Sequence, residues 1–391
     1  MITLPRTLAA VRAQESTVPI RATAGDGRWF TRPAGLRSVA EVLRSAALEN
    51  RCVRPRGAGT KSSWFTAPST VDITMSTGGL DTWRYEPGAT TVTVGAGVPV
   101  QVAQVRLAAM GVRLPFDPPS PGATIGGVLA TNERGPLALH YGEPVDQVRG
   151  AWGVRRGGRV VALGEPDLAC APAFPDSAEH HPDPADLRWL SGGALVDVTL
   201  PVHRLPAARR WVSHDVASPL EIFDLLAALA DEGVSPAAVE LDLPAHSPAR
   251  FGHLGRLTVL IEGSVTSATD RAGTLADAFG HTADGFSDEA PEGWGRYPWR
   301  LGDLGLRMEG GGEALASAAY AIRDAAHIPL AVRGGIGAGF CHVAVPGNLP
   351  VDTMRAVIET AGDVLMARGG HVTVLTAPAA LHGPLSAYLA C

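Results

Sequence analysis

RPRGAGTK at residues 54–61 and PGATIGGVLATN at residues 121–132 are the two stretches that decide how this chain is interpreted. In both, glycine and alanine leave a row of backbone N–H groups with no bulky side chain in the way. Such rows of amides bind phosphate oxygens, and two of them can hold a pyrophosphate from opposite sides. Each motif alone is also typical of a structural turn. Their order, with TVTVGAG at residues 91–97 between them, favours a bound dinucleotide.

Composition describes an ordinary soluble globular protein. The chain has 391 residues, of which 46% are hydrophobic and 18% charged. This length exceeds one average domain, so two lobes are expected. The net charge is −6 and no dense basic cluster is present. Nucleic acid is therefore not an expected partner.

Cysteine spacing and hydropathy exclude further classes. The four cysteines lie far apart without a CxxC pair, which argues against a zinc or iron–sulfur site carried by this chain. Arg6 and Arg12 interrupt the first apolar stretch, and no window reaches the roughly 20 apolar residues of a membrane span. We expect a cytoplasmic chain with reduced thiols and no membrane span.

Hydrophobic periodicity predicts alternating strands and helices along the whole chain. In the first half the predicted elements are a helix at 38–50 capped by Ser38, strands at 71–75 and 91–94, a helix at 100–109, a hairpin over 147–163 and a strand at 195–202. Residues 169–186, rich in proline and acidic groups, are predicted to be a loop. In the second half they are helices at 219–231, 267–279 and 351–368, and strands at 257–262, 329–333, 339–345 and 371–376.

The ordered motifs resemble the FAD-binding half of the vanillyl-alcohol-oxidase-type flavoproteins, the PCMH fold. More closely they resemble the FAD-binding subunit of glycolate oxidase. The matching stretches are VRPRGAGTKSSW, TVTVGAGVPV, DPPSPGATIGGVLATN, RGPLALHYG and GIGAGFCHVAVPGNLP. The resemblance runs from residue 32 to residue 378, strongly before residue 159 and loosely afterwards. A Rossmann fold is not indicated, because no GxGxxG opens a helix with an acidic residue about 20 positions later.

The resemblance implies an α+β chain. Residues 1–206 would form a two-subdomain PCMH-type FAD-binding domain, and residues 207–391 an α+β substrate (cap) domain. The residues that it assigns to FAD are Arg56, Gly57, Ala58, Gly59, Thr60, Lys61, Gly122, Ala123, Thr124, Gly126, Gly127, Asn132, Tyr141 and Val196.

Chemical roles for some of these residues follow from their side chains. Thr124 can donate its hydroxyl to a phosphate oxygen, and Arg56 or Lys61 can offset the phosphate charge. A Cβ at Gly126 is expected to push the flavin away. Some relatives tether the flavin covalently through a histidine in the first turn. Thr60 stands at that position here, so noncovalent FAD is expected.

The chain departs from the family pattern in two places. Residues 179–206 keep only the outline of the family's signature run before the last strand of the flavin domain. The family's usual C-terminal extension has no counterpart. These departures keep two alternatives open: a specialised biosynthetic-pathway flavin oxidase, and a noncatalytic flavin-fold subunit of a larger complex.

Candidate catalytic residues lie in the second half. His342 and His371 stand on predicted strands and could take a hydroxyl proton, and Arg333 could bind a carboxylate. A histidine on an alternating strand is more often a satisfied core or surface residue.

Two further polar clusters can be explained as surface loops without a functional role. Trp299 lies between Arg296 and Arg300, which a solvated loop explains equally well. The pair His180 and His181, with acidic residues after it, is better explained by a surface loop than by a metal, so no metal site is expected.

These expectations combine into one function. The chain is expected to be an FAD-dependent oxidoreductase that oxidises a small hydroxylated substrate, a 2-hydroxy acid or an alcohol, by hydride transfer to flavin N5. Electrons would then pass to oxygen or to a separate iron–sulfur or other electron-acceptor subunit, because this chain lacks cysteines for a cluster.

Overall fold

The computed structural model describes residues 20–22, 29–64, 71–170, 178–190, 192–231, 233–245, 254–280 and 285–389. The chain divides into two compact units. The first comprises Met1–Ser62, Ala67–Glu133 and Glu143–Leu205. The second comprises Ser63–Thr66, Arg134–Gly142 and Pro206–Cys391. Two short segments of the first half of the chain therefore belong to the second unit.

The first unit is built on two main sheets with helices packed against them. Its strands are β1 (Ile20–Ala22), β2 (Trp29–Thr31), β3 (Val53–Arg56), β4 (Ile73–Ser76), β5 (Trp83–Arg84), β6 (Thr91–Gly95), β7 (Val112–Arg113), β8 (Gly150–Val154), β9 (Val160–Gly164), β10 (Glu179–His181), β11 (Ala194–Pro201) and β12 (His203–Arg204). Its helices are α1 (Leu36–Leu48), α2 (Val100–Ala108) and α3 (Ile125–Thr131). The first sheet has the order β1-β2-β4-β3, the second the order β10-β9-β8-β11-β6-β5, and β12 pairs with β7.

Helix α1 has the predicted buried face but begins two residues before the predicted start. Val39, Val42 and Leu43 are buried as the periodicity indicates. The prediction that Ser38 caps the helix is wrong: the cap residue is Gly35, and the Ser38 hydroxyl donates to the Gly35 carbonyl at 2.9 Å. A serine can bond to the backbone in the first turn as well as at the cap, so the sequence signal fits both registers.

The predicted loop over residues 169–186 is wrong in part. Residues 179–181 form strand β10, which pairs in parallel with β9 along the sheet edge. Residues 171–177 lie outside the described part of the chain. Edge strands need few apolar residues, which is why a polar and proline-rich segment can still add one.

The second unit is one eight-stranded sheet with a helical layer. Its further strands are β13 (Ala208–Val216), β14 (Ala238–Leu243), β15 (Gly255–Gly263), β16 (Phe286–Ser287), β17 (Leu304–Glu309), β18 (Ala331–Gly334), β19 (Phe340–Val345) and β20 (His371–Thr376). Its helices are α4 (Ala138–Tyr141), α5 (Pro219–Asp231), α6 (Val265–Ala278), α7 (Gly312–Ala326), α8 (Val351–Met366) and α9 (Ser386–Leu389). The strand order is β16-β13-β15-β14-β18-β19-β17-β20. Strands β13, β14 and β17 and helix α7 were not predicted from the sequence. The predicted α+β class is confirmed.

Alternation along β17 separates an apolar face of the sheet from a polar one. Leu304, Leu306 and Met308 are fully buried in the core beneath the helices. Arg307 and Glu309 alternate with them and therefore project from the opposite face. On that face, antiparallel pairing aligns Asp242, Arg333, His342, Arg307 and Thr373 across neighbouring strands. We call the set Asp242, Arg333, His342, Arg307 and Glu309 the polar sheet face.

None of the described helices is long and apolar enough to cross a bilayer.

Gly97 is required by packing in the first unit. A Cβ on this residue would lie 1.8 Å from the carbonyl oxygen of Thr77, which no side-chain rearrangement can relieve. Gly97→Ala should therefore lower the free energy of unfolding of the full chain by about 3 kcal/mol. Urea denaturation followed by tryptophan fluorescence measures this change. Gly35→Ala is the matched control, since nothing lies within 4 Å of its Cβ position. Equal unfolding midpoints for both variants would contradict the packing.

Candidate functional site

The first glycine turn follows β3 and presents its backbone at the surface. Gly57, Ala58 and Thr60 are exposed. Gly59 adopts a left-handed conformation with φ +78°, which favours glycine. A Cβ there would come within 2.8 Å of the Arg56 guanidinium, so that side chain lies directly against the turn. The turn therefore combines exposed main-chain amides with an adjacent cation.

The second glycine turn is held by the segment that follows β6. The Val100 amide donates to the Ala123 carbonyl at 2.8 Å, and the Gly126 amide donates to the Ala96 carbonyl at 2.9 Å. Thr124 caps helix α3 by accepting a hydrogen bond from the Gly127 amide at 3.3 Å. The three glycine motifs that the sequence analysis placed in order are thus brought together.

The two turns meet at one point. A Cβ on Gly57 would lie 2.3 Å from Thr124 Oγ1 and 3.1 Å from Thr124 Cγ2. Only glycine permits this approach, because a Cβ would occupy the space of the Thr124 side chain. The predicted convergence of the two turns is present. In the second turn the Ala123, Ile125, Gly126 and Gly127 amides donate within the chain. The cradle therefore offers mainly the exposed amides of the first turn to a pyrophosphate.

Sequence reasoning missed Glu133, which is 2% exposed and contacts both turns. One of its carboxylate oxygens pairs with Lys61 Nζ, and the other accepts from the Ser120 amide at 3.0 Å. Lys61, predicted to offset phosphate charge, therefore has a protein carboxylate as its partner. A signal existed in the sequence: a carboxylate directly after an anion-binding motif is unfavourable unless it is paired.

Three predicted cofactor residues have defined structural contacts. The Asn132 side chain donates to Glu143 and accepts from the Val145 amide at 3.3 Å. Val196 is buried in the core, and its carbonyl accepts from the Ala96 amide at 2.8 Å. Tyr141 belongs to the second unit, at the end of α4. Their roles toward a cofactor stay predictions.

The physical reason given for Gly126 needs correction. A Cβ on Gly126 would first meet Ala96, with Cβ at 2.9 Å and the carbonyl oxygen at 3.0 Å. The glycine is therefore required by contact with the TVTVGAG segment that supports the turn. Any effect on a bound cofactor would follow from displacement of that support.

In the second unit, Glu309 on the polar sheet face gathers three cationic side chains. Its carboxylate pairs with Arg134, with Arg307 Nε at 3.0 Å and with His371 Nε2 at 2.9 Å. The Arg134, Arg307 and Glu309 side chains are between 11 and 22% exposed, whereas His371 is 64% exposed. One carboxylate thus serves two guanidinium groups.

His342 lies beside this cluster in an aromatic enclosure. Its ring is 4.7 Å from Tyr297, 5.4 Å from Trp299 and 5.4 Å from Phe340, measured between centroids. The residue is 4% exposed. Burial, together with the positive charges of Arg307 and Arg134, lowers the pKa of His342 to about 3. The imidazole is therefore neutral at physiological pH.

Arg333 is the third predicted catalytic residue, and its guanidinium is engaged within the second unit. It donates to Asp242 Oδ2 at 2.8 Å and to the Gly293 carbonyl at 3.1 Å. Its charge is balanced by Asp242. Pairing aligns Arg333 with His342 in neighbouring strands, so the sheet brings two of the three predicted residues together.

Two further polar clusters were singled out in the sequence, one around Trp299 and one at His180, and only the first lies near a candidate catalytic residue. Trp299 stacks on Tyr297 at 4.2 Å and so belongs to the enclosure of His342, while Arg296 and Arg300 are exposed. His180 Nε2 lies 3.1 Å from the carbonyl oxygen of Gly164, on the edge strand β10. Within the described residues, no group of three histidine, cysteine or carboxylate side chains could hold a metal ion.

Residues 29–164 match the protein-family model described as FAD binding domain. Both glycine turns lie inside this match, and their cradle fits the cofactor. The cofactor is FAD. A D-lactate dehydrogenase of Archaeoglobus fulgidus is 27% identical over 155 residues, which are 40% of this chain and 35% of that protein. The match therefore spans about a third of that curated relative's length.

Solved structures share the fold at 13% sequence identity. A p-cresol methylhydroxylase with substrate bound matches with a TM-score of 0.68 over 93% of this chain and 84% of that chain. An alkyldihydroxyacetonephosphate synthase matches with a TM-score of 0.67 over 94 and 80%. BBE-like 1 of Physcomitrella patens matches with a TM-score of 0.61 over 94 and 89%. The fold is a PCMH-type FAD-binding fold with an α+β second unit.

Gly126→Val should abolish FAD retention, because the added side chain forces α3 away from Ala96. The second unit should stay folded. FAD content after gel filtration and the circular dichroism spectrum measure the two effects. Ala130→Val, exposed on the same helix, is the matched control and should retain FAD. A full complement of FAD in Gly126→Val would show that this turn does not hold the cofactor.

Acid should destabilise the chain through His342. The unfolded histidine binds a proton near its ordinary pKa of 6.5, whereas the folded one does so only near pH 3. Stability therefore falls as the pH is lowered through this window, and His342 alone accounts for about 2 kcal/mol between pH 7 and pH 5. Urea unfolding at both pH values should show a smaller decrease for His342→Leu. His371→Gln is the control that keeps the buried imidazole; the same decrease in wild type and His342→Leu would refute the assignment.

Proposed function

We propose that this chain is an FAD-dependent oxidoreductase that oxidises a small hydroxylated compound, with a 2-hydroxy acid favoured over a simple alcohol. The observation that supports the proposal most strongly is a neutral, buried histidine beside two arginines that share one carboxylate. A 2-hydroxy acid carries both groups that such an arrangement recognises, a hydroxyl and a carboxylate. The similarity to a D-lactate dehydrogenase over part of the chain is consistent with this substrate class.

FAD is held in this proposal by the exposed main-chain amides of the first glycine turn, with Arg56 and the Thr124 hydroxyl on the phosphates. When bound, FAD accepts a hydride at flavin N5. We also propose that its attachment is noncovalent, because Thr60 offers no nucleophilic nitrogen at the position where some relatives have a histidine.

The substrate carboxylate would bind at Arg134 and Arg307. These two guanidinium groups share Glu309, and both act electrostatically on the buried His342. Arg333, the candidate from the sequence, is already neutralised by Asp242. We therefore rank Arg134 and Arg307 ahead of Arg333 for this role. Arginine suits it because its planar group binds both carboxylate oxygens.

His342 would accept the hydroxyl proton as the substrate loses hydride. A pKa near 3 makes the imidazole a weak base in the empty enzyme. A bound carboxylate offsets the charges of Arg134 and Arg307, which are among the causes of the low pKa. Substrate binding therefore raises the basicity of His342. His371 is the alternative base, since it is exposed and its Nε2 lies 2.9 Å from Glu309.

Electrons would leave through a partner, either oxygen or a separate electron-acceptor subunit with an iron–sulfur cluster. The wide spacing of the four cysteines supports a cluster carried elsewhere. Anaerobic and aerobic turnover measurements distinguish the two acceptors.

Anaerobic bleaching of the purified FAD-loaded protein tests the function. A panel of 2-hydroxy acids should reduce the flavin absorbance, and the matching 1,2-diols, which lack the carboxylate, should do so far more slowly. His342→Gln should slow flavin reduction about 100-fold, the usual contribution of a general base, with FAD content unchanged. His371→Gln is the matched control and should be affected much less. FAD that no alcohol or hydroxy acid reduces would overturn the proposal in favour of a noncatalytic subunit.

A further inference from the structure

We infer that Glu133 is a positioning residue that joins the two FAD-binding turns and sets the distance between them. The inference concerns the assembly of the cofactor site and holds for any substrate. It uses only residues of the first unit.

The geometry of Glu133 is that of a bridge. Its two carboxylate oxygens point to different partners: one to Lys61 at the end of the first turn, the other to the Ser120 amide just before the second. These partners are 59 positions apart in the sequence (120 − 61), and Glu133 lies 13 positions beyond Ser120. One side chain therefore ties together two segments whose own strands do not fix their spacing.

Burial makes this bridge consequential. The Glu133 side chain is 1% exposed and the Lys61 side chain 9% exposed, so water screens their attraction little. A buried pair is costly to break from one side, because the remaining group is left without compensation. The Ser120 amide would also lose an acceptor inside the fold. Removing the Glu133 carboxylate is therefore expected to cost free energy at both turns.

The bridge acts where the turns already meet. Gly57 and Thr124 approach so closely that a single Cβ would separate them. That contact prevents the turns from moving closer, and Glu133 prevents them from moving apart. Together they fix a gap of constant width, which a diphosphate of fixed length requires.

A simple electrostatic argument predicts the opposite effect of removing the carboxylate. If Lys61 served FAD only by its charge, Glu133 would weaken binding by neutralising it, and Glu133→Gln would bind FAD more tightly. If Glu133 positions the turns, the same variant binds FAD more weakly. The sign of the change therefore separates the two roles.

Titration of the apoprotein with FAD, followed by flavin fluorescence, measures this sign. We expect the Kd of Glu133→Gln to rise about tenfold or more, which corresponds to about 1.4 kcal/mol. Lys61→Arg keeps the ion pair and should stay within about threefold of wild type. Glu49→Gln, which removes an ion-paired carboxylate elsewhere in the same unit, is the matched control and should leave the Kd unchanged.

A second probe separates positioning from a general loss of structure. ADP carries the diphosphate without the flavin, and its Kd should rise by the same factor as that of FAD in Glu133→Gln. Circular dichroism and thermal unfolding of each apoprotein show whether it is folded. If Glu133→Gln does not fold, Glu133→Asp replaces it: the shorter side chain keeps the charge beside Lys61 but cannot span both partners, so positioning predicts weaker binding of both ligands, whereas a purely electrostatic role predicts no change. Unchanged or tighter binding of FAD or ADP by a folded variant that lacks the bridge would overturn the inference.

Discussion

The close approach of Gly57 to Thr124 is the constraint on which the first unit depends. Two loops separated by more than sixty residues meet at van der Waals distance because one of them has no side chain there. Parallel pairing of β3 with β4 delivers the first loop, and main-chain hydrogen bonds from the segment after β6 hold the second. Glycine is thus used twice: it exposes the amides of the first turn to an anion, and it lets the backbone of that turn come close to the second turn.

The second unit shows how charge balance separates structure from chemistry on one sheet face. Arg333 and Asp242 form a one-to-one pair, which is the usual way to satisfy charges on a sheet. Glu309 instead serves Arg134 and Arg307 together. His342 stands between Arg333 and Arg307 in register and stays neutral because burial and positive neighbours both oppose its protonation. A neutral imidazole next to Arg134 and Arg307 supports the proposed oxidation of a hydroxy acid.

Prediction from the sequence succeeded where the signal was local. The helices at 219–231 and 351–366 and the strand at 371–376 follow from periodicity alone. Strand β17 was missed although Leu304, Leu306 and Met308 alternate with polar residues, because the run is short and glycines flank it. That omission concealed Arg307 and Glu309. Arg134 could not be connected with them at all, since it is 175 positions from Glu309 and its segment joins the second unit only in the folded chain.

The sequence by itself determined the two glycine-rich turns and their order, because these depend on glycine spacing and on periodicities of a few residues. The α+β class and the FAD cofactor followed from the resemblance that these motifs carry. Only the tertiary structure decided which charged groups are paired. In the folded chain Lys61 pairs with Glu133, Arg333 pairs with Asp242, and Arg134 and Arg307 share Glu309. The physical reason is that a Coulombic interaction depends on distance and burial in space, and neither can be read from separation along the chain.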